Sequence, residues 1–186
     1  MATPAHAKAI KAVEAIFERY RLIATGTDFN GFDRHVMDNC KIIDASPDGT
    51  AEFELMIDEH YGNLNGVMHG GAAGVIFDMC TTSALGPLAR PGWWDFLGGV
   101  TRTLNISYLR AIPIGTKIRL HANVTGAGRT MAMIRGTMTS VDGKIIYCTA
   151  EHHKVHVPTR PEHNKYKIAW DDLWDADGKE IEKSRL

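Results

Sequence analysis

Charge of one sign, long apolar runs and cysteine are all scarce in this 186-residue chain, and each scarcity excludes a class of protein. The net charge is −1, with 21 basic and 22 acidic residues dispersed along the chain, so nothing predicts a nucleic-acid or membrane surface. No window approaches the roughly 18 apolar residues of a membrane span. Lys8, Lys11 and Glu14 lie where a signal peptide would be apolar. We therefore expect an intracellular protein whose partners are small molecules.

Cysteines and metal ligands are too few, or too badly spaced, to suggest redox or metal chemistry. Cys40, Cys80 and Cys148 are odd in number and form no CxxC motif, which favours buried, reduced thiols. The run Glu151-His152-His153-Lys154-Val155-His156 contains potential ligands, but neighbouring residues on a strand point to opposite faces and no second cluster accompanies it. We interpret this run as a solvated edge strand and predict no metal site.

The pattern of apolar residues predicts one domain that contains both helices and strands. An amphipathic helix is predicted over the first twenty residues. The turn Ser46-Pro47-Asp48-Gly49 joins two short strands, residues 41–44 and 50–57. Four longer strands come later and are expected to form an antiparallel meander: residues 101–109, 117–124, 130–139 and 144–155.

Between the two groups of strands lies a predicted helix, residues 72–85, which is hydrophobic nearly all round and therefore typical of a helix buried on every side. Asp78 is its only charged residue. An unpaired carboxylate there would be costly, so Asp78 must be partnered, partly solvated or shifted in pKa, as catalytic groups often are. Gly70-Gly71 opens the helix, where free N–H groups and the helix dipole favour an anion. We predict that Asp78 is the catalyst and that a developing oxyanion binds at Gly70-Gly71.

The order of these elements describes a sheet wrapped around a helix. One sheet covers only part of a helix that is apolar on all sides, so a second subunit is expected to cover the rest.

This order, together with the segment Asn63, His69-Gly70-Gly71 and Asp78, resembles the hotdog-fold acyl-CoA thioesterases of the phenylacetate-pathway and thioesterase-superfamily-member-2 type. The likeness covers roughly residues 37–156. It extends to Gly99-Val100-Thr101, to Asn105-Ile106-Ser107-Tyr108 and to the turn Gly128-Arg129-Thr130. The resemblance implies an α+β hotdog fold, an antiparallel sheet around one long central helix, over residues 37–156. An N-terminal helical extension (1–36) and a C-terminal tail (157–186) would flank it.

The resemblance also implies hydrolysis of an acyl-CoA thioester to a carboxylic acid and free coenzyme A. Asp78 matches the family's general base or nucleophile, and Gly70 matches the backbone N–H that polarises the thioester carbonyl. Asn63 matches an amide that holds the carbonyl or the water. Thr101 stands where the family has a serine that orients water, and His69 and Gly71 belong to the same motif as supporting residues.

For the rest of the substrate, the resemblance implies coenzyme A contacts from two segments. The matching residues are Tyr108, Arg110, Gly128, Arg129 and Thr130, with the two arginines as candidates for the phosphates. No metal or redox cofactor is implied. The resemblance further implies a homodimer or homotetramer whose active site forms across the dimer interface.

Two stretches depart from the family pattern. The loop 87–98 is longer than usual and carries Trp93 and Trp94, interpreted as exposed residues that either cover an acyl pocket or pack on a neighbouring element or subunit. The tail from Pro158 onward ends in Ser184, Arg185 and Leu186, which is similar to the Ser-Lys-Leu signal for peroxisomes. In a eukaryote we would expect a peroxisomal import receptor as a partner. In a bacterium the protein would be cytoplasmic.

Several alternatives stay open at this point. His69 is expected to fix its loop by hydrogen bonding rather than act as an acid. Asp78 could hold a dimer interface without catalysing a reaction. The chain could also be a hotdog hydratase or dehydratase, whose acid usually pairs with a catalytic histidine, or a non-catalytic partner that binds acyl thioesters.

Overall fold

The structure is a computed structural model that describes residues 3–95, 99–175 and 177–181. Its elements, in chain order, are helices α1 (Pro4–Gly26) and α2 (Arg34–Asn39), strands β1 (Lys41–Ser46) and β2 (Thr50–Ile57), helix α3 (Gly70–Ser83), and strands β3 (Val100–Tyr108), β4 (Thr116–Ala127), β5 (Met131–Ser140) and β6 (Ile146–Val155). The predicted strands are confirmed, with ends that differ by three residues at most. Helix α2 was not predicted, because six residues are too few to show a helical period.

All six strands form one antiparallel sheet, in the order β1-β2-β4-β5-β6-β3. The expected meander of four strands is therefore correct for β4, β5 and β6 and wrong for β3. Strand β3 crosses over to pair with β6, where Val100 lies opposite Val155 and Tyr108 opposite Cys148. This crossover makes β6 an interior strand and leaves β3 at the edge of the sheet.

Helix α3 packs against the sheet, and its residues Ile76, Phe77 and Cys80 are buried. Gly136 on β5 permits this close approach, because a Cβ there would lie 2.8 Å from the Phe77 ring. The helix begins two residues before the predicted start. It is not buried on every side within one chain, since the Asp78 side chain keeps 39% of its surface exposed.

Helix α1 lies over β1 and over the short 3-10 turn Gly86–Leu88 that follows α3. Its predicted apolar face is confirmed, with Val13, Phe17 and Tyr20 buried. Gly86 allows the contact, because a Cβ there would lie 3.1 Å from the carbonyl oxygen of Ala12.

The three cysteines are buried and free, as predicted. The sulfur atoms of Cys40, at the end of α2, and Cys80, on α3, lie 3.7 Å apart. This contact and burial raise the pKa of the Cys80 thiol, and burial raises the pKa of Cys148 to about 11. Both thiols are therefore protonated and poorly reactive at neutral pH.

The interpretation of the tryptophan loop as exposed is wrong for Trp94. Trp94 is 1% exposed, and its indole Nε1 donates to the carbonyl oxygen of Gly128 at 2.7 Å. The ring lies edge-on to His156, 5.4 Å between centroids. Trp94 also lines a cavity of about 380 Å³ between α1, the loop and the tail. The packing alternative is thus confirmed for this residue.

Part of the notable sequence falls outside the described residues, namely positions 96–98 of this loop and the terminal Ser184, Arg185 and Leu186. Within the described part of the chain, none of the helices has both the length and the apolar content needed to cross a bilayer.

Candidate active site

Asp78 projects from the middle of α3 toward the beginning of the edge strand β3. The hydroxyl of Thr101 donates to Asp78 Oδ1 at 2.6 Å. The structure thus brings together the predicted catalyst and the predicted water-orienting hydroxyl. An ionised carboxylate accepts only, so the single proton of the Thr101 hydroxyl is committed to Asp78.

Behind this pair lies His152, which the sequence interpretation missed. Its Nε2 is 2.9 Å from Thr101 Oγ1 and 3.3 Å from Asp78 Oδ1, and its Nδ1 is 2.6 Å from the Thr81 hydroxyl. The ring is completely buried. Burial lowers the pKa of His152 to about 4, aided by the positive charge of Lys154, so the ring is neutral at pH 7.

Lys154, two residues along β6, is the second buried ionisable group. It is 2% exposed, and its ammonium Nζ donates to the Thr82 hydroxyl at 2.8 Å. Burial lowers its pKa to about 8, and the negative charge of Asp78 opposes that shift. Lys154 therefore remains largely protonated at pH 7, a cation inside the protein close to the candidate catalyst.

The prediction that residues 151–156 form a solvated edge strand is wrong for the side chains of His152 and Lys154, which are buried. The physical reason has two parts: β3 pairs along β6, so β6 is not an edge, and His152 and Lys154 lie on the face of the sheet that α3 covers. A signal was present in the sequence, because Cys148 and Ala150 are inward-facing residues of the same strand and the alternation continues to His152 and Lys154.

The other predicted residues cluster at the N-terminus of α3. His69 is the N-cap, and its Nδ1 accepts from the Gly71 N–H at 2.9 Å. His69 thus fixes the start of the helix, as expected, and occupies the Gly71 donor. Within the described residues, the Gly70 N–H has no hydrogen-bond acceptor, which leaves it available to an oxyanion.

Asn63 lies in the loop that leads to this helix end. Its side-chain Oδ1 accepts from the Asn65 N–H at 2.8 Å, and its main-chain N–H donates to the Val67 carbonyl at 2.9 Å. This local turn uses the amide oxygen and leaves the Nδ2 protons as donors. An amide held in this way suits a role in binding a carbonyl.

These two groups of residues are far apart within one chain. Asp78 comes eight positions after Gly70 on the helix, and at 1.5 Å per residue that is a rise of about 12 Å. A reacting thioester carbonyl and its attacking water lie within a few ångströms of each other. Within one chain, the start of the helix and Asp78 are therefore separated along the helix axis by more than that distance.

The predicted coenzyme A contacts divide in the same way. Tyr108 and Arg110 line a cavity of about 280 Å³ beside Gly70, and the Tyr108 hydroxyl donates to the Gly70 carbonyl at 2.8 Å. The exposed turn Gly128-Arg129-Thr130 lies at the other end, next to the beginning of β3, since Thr130 accepts from the His156 N–H. The described residues contain no group of three or more His, Cys, Asp or Glu arranged to bind a metal ion.

Comparison with known proteins gives a consistent result. A family model described as the thioesterase superfamily matches residues 65–147. Acyl-coenzyme A thioesterase 13 of Mus musculus is 30% identical over 117 residues, which are 62% of this chain and 79% of that protein. A putative esterase of Schizosaccharomyces pombe is 34% identical over 61% of this chain, and the match spans 64% of the yeast protein.

Solved structures agree on the fold. Zebrafish thioesterase superfamily member 2 matches with a TM-score of 0.60 and 28% identity, over 73% of this chain and 93% of that one. A hypothetical thioesterase from Streptococcus pneumoniae, solved with coenzyme A, matches with a TM-score of 0.57 and 21% identity, over 66% of this chain and 89% of that one. With its six-stranded antiparallel sheet and buried helix, the chain has the hotdog fold, belongs to the thioesterase superfamily and is a thioesterase.

Proposed function

We propose that this thioesterase hydrolyses acyl-CoA, with Asp78 as the group that activates water or attacks the thioester. The observation that carries the proposal is the hydrogen bond from Thr101 to a half-exposed carboxylate on an otherwise apolar helix. The curated relative named acyl-coenzyme A thioesterase 13 and the bacterial neighbour solved with coenzyme A support the choice of substrate.

In the general-base route, Asp78 takes a proton from water while the water oxygen bonds to the thioester carbon. The carbonyl oxygen becomes an oxyanion that accepts from the Gly70 N–H and the Asn63 amide. The tetrahedral intermediate then collapses, the carbon–sulfur bond breaks, and coenzyme A leaves as the thiol with the proton from Asp78. In the nucleophilic route, Asp78 attacks the carbon, the carbon–sulfur bond breaks, and coenzyme A leaves as a thiolate that takes a proton from water. A second water then hydrolyses the mixed anhydride, which releases the carboxylic acid and restores the Asp78 carboxylate.

The separation of about 12 Å between Gly70 and Asp78 supports a site shared between two chains. Strand β3 is an exposed edge, and Val100 and Tyr108 at its two ends are about half exposed. Antiparallel pairing of two β3 strands about a two-fold axis would place Thr101 of one chain near Tyr108 of the other. Asp78 and Thr101 would then act on a substrate bound at the neighbour's Asn63, Gly70 and Arg110.

Thiol release from short, long and aryl acyl-CoAs tests the activity directly, with Asp78→Asn as the matched variant because it keeps the shape and removes the base. We expect wild type to hydrolyse at least one member and the variant to fold but lose most of the rate. If wild type releases no thiol from any member, the proposal is wrong.

Mixing two inactive variants tests the shared site. Asp78→Asn damages one half and Asn63→Ala the other, so a mixed dimer contains one intact site. Random exchange would restore about one quarter of the wild-type rate, since half the dimers are mixed and each has one good site of two. No recovery after demonstrated subunit exchange would place both halves in the same chain.

A hotdog hydratase is the second candidate, and the proximity of His152 to Asp78 is the observation that favours it. The ring, however, is completely buried, and both nitrogens already contact threonine hydroxyls. No ring atom is left to exchange a proton with a substrate. Incubation with an enoyl-CoA separates the two activities, because hydration removes the double bond and hydrolysis releases the thiol.

A further inference from the structure

The buried pair His152 and Lys154 has no part in the hydrolysis described above. Both side chains point from β6 toward α3, where His152 contacts the Thr81 hydroxyl and Lys154 contacts the Thr82 hydroxyl. A buried cation is costly and is usually paired with an anion. Asp78 is the carboxylate whose charge acts on both residues.

The hydrogen bonds fix the proton on one nitrogen of the His152 ring. Because Thr101 gives its only proton to Asp78, its oxygen can only accept from His152, so Nε2 carries a proton. The Nε2–H points toward Thr101 and, more distantly, toward Asp78 Oδ1.

The other nitrogen admits two states. In a neutral ring, Nδ1 accepts from the Thr81 hydroxyl at 2.6 Å. In a charged ring, Nδ1 donates to Thr81, whose proton then goes to the Phe77 carbonyl oxygen at 2.5 Å. Both arrangements satisfy the donors and acceptors. The geometry around the ring therefore does not decide its charge.

Burial of the ring and the balance of nearby charges decide it together. Asp78 can compensate one buried cation, and Lys154 is already that cation. A charged His152 would add a second positive charge in the same buried space and would bind the Asp78 carboxylate in an ion pair, which makes the carboxylate a poorer base.

We propose that Lys154 is a positioning residue that keeps the His152 ring uncharged, so that the hydrogen bonds run from Thr81 through His152 and Thr101 to Asp78. This inference rests on the proposed function of Asp78. The titratable groups that act on the ring are Asp78 from α3 and His153 and Lys154 from its own strand, and the groups in direct contact with it from α3 and β3 are the neutral hydroxyls of Thr81 and Thr101. The low pKa of His152 agrees with this arrangement.

The experiment is a titration of His152 by NMR, using histidine labelled at Cε1 and assigning the signal with His152→Gln, since the chain has nine histidines. In wild type the signal should not move between pH 8 and pH 5. In Lys154→Met and Lys154→Gln the midpoint should rise by about one pH unit or more. Lys154→Arg, which keeps the charge, should behave like wild type, and so should Lys144→Met, which removes an exposed lysine.

Two neutral variants are used in case Lys154→Met does not fold, because the amide of Lys154→Gln can still form a hydrogen bond with Thr82. A signal that stays fixed down to pH 5 in the folded neutral variant would overturn the proposal and make Lys154 a purely structural residue. The titration needs no substrate. A failure of acyl-CoA hydrolysis in wild type would therefore be recorded separately and would refute the proposed function instead.

The rate provides a second readout. A ring whose titration midpoint rises by one pH unit, from about 4, is about half charged at pH 5. The kcat of Lys154→Met relative to wild type should then fall about twofold between pH 8 and pH 5 and recover at pH 8. A ratio that stays constant over this range would contradict the link to Asp78, because a packing defect would reduce the rate equally at both pH values.

Discussion

Replacing Lys154 by methionine should make the protein more stable at neutral pH. The side chain is 2% exposed, and its pKa falls from 10.5 to about 8 on folding. Each pKa unit corresponds to about 1.4 kcal/mol, so holding the charged form inside the native protein costs about 3 kcal/mol at pH 7. Methionine has a similar length and carries no charge. Losing the hydrogen bond to Thr82 would offset about 1 kcal/mol of this effect, so the free energy of unfolding should rise by about 2 kcal/mol.

The sign of the pH dependence follows from the same shift. Between pH 8 and 10.5 the unfolded chain holds more protons on Lys154 than the native protein does, so the wild-type free energy of unfolding rises with pH in this window. The methionine variant lacks this rise. Its advantage should be full below pH 8 and should disappear near pH 10.5.

Urea unfolding of wild type and Lys154→Met at several pH values between 6 and 10.5 measures this difference. Lys144→Met is the control, because Lys144 is largely exposed and its removal should change stability little. A variant that is less stable than wild type at pH 7, or a difference that does not shrink as pH rises, would refute the reasoning. Together with the expected loss of rate at low pH, the result would show stability sacrificed for activity at one position.

Three further substitutions test other contacts. Thr101→Val should lower kcat by about 10², because it removes the hydroxyl that bonds to Asp78, whereas Thr101→Ser keeps the hydroxyl and should stay close to wild type. Steady-state kinetics of the two variants measures this. His152 should lower the free energy of unfolding of wild type by about 3 kcal/mol as pH falls from 6.5 to about 4, because the ring binds a proton in the unfolded chain but stays neutral in the native protein. Unfolding of His152→Gln over the same pH range should lack this loss. Gly136→Ala should destabilise by about 1–3 kcal/mol, because its Cβ would meet Phe77 at 2.8 Å, whereas Gly126→Ala, where a Cβ meets nothing within 4 Å, should not; thermal unfolding compares them.

The elements that the sequence predicted well are those whose burial has a regular period. The amphipathic face of α1 and the hairpin turn at Pro47-Asp48-Gly49 depend on local spacing, and the structure confirms both. The path of β3 is different in kind. Pairing between strands that are distant in sequence depends on the whole sheet, so a local pattern favoured the simpler meander.

The site shows the same limit. Asp78 and Gly70 were predictable, because a lone carboxylate on an apolar helix and a glycine pair at a helix start are visible in the sequence. His152 and Lys154 were missed, although they continue the inward alternation of Cys148 and Ala150, because polar residues on a strand usually face solvent. Their burial depends on α3, which is distant in sequence and covers that face of β6. Trp94 was misjudged for a similar reason, since its indole bonds to Gly128 from a distant turn.

The buried thiols allow the local opening of the protein to be measured, because a thiol reagent can label them only after they become exposed. Cys80 lies half a turn after Asp78 on α3, in contact with Cys40, so a thiol reagent reaches it only when the helix separates from its surroundings. Its labelling rate then reports how often the catalytic helix is released, and labelling of Cys148 reports the same for β6. Any ligand that binds across α3 should slow the labelling of Cys80, which makes binding measurable before a turnover substrate is known.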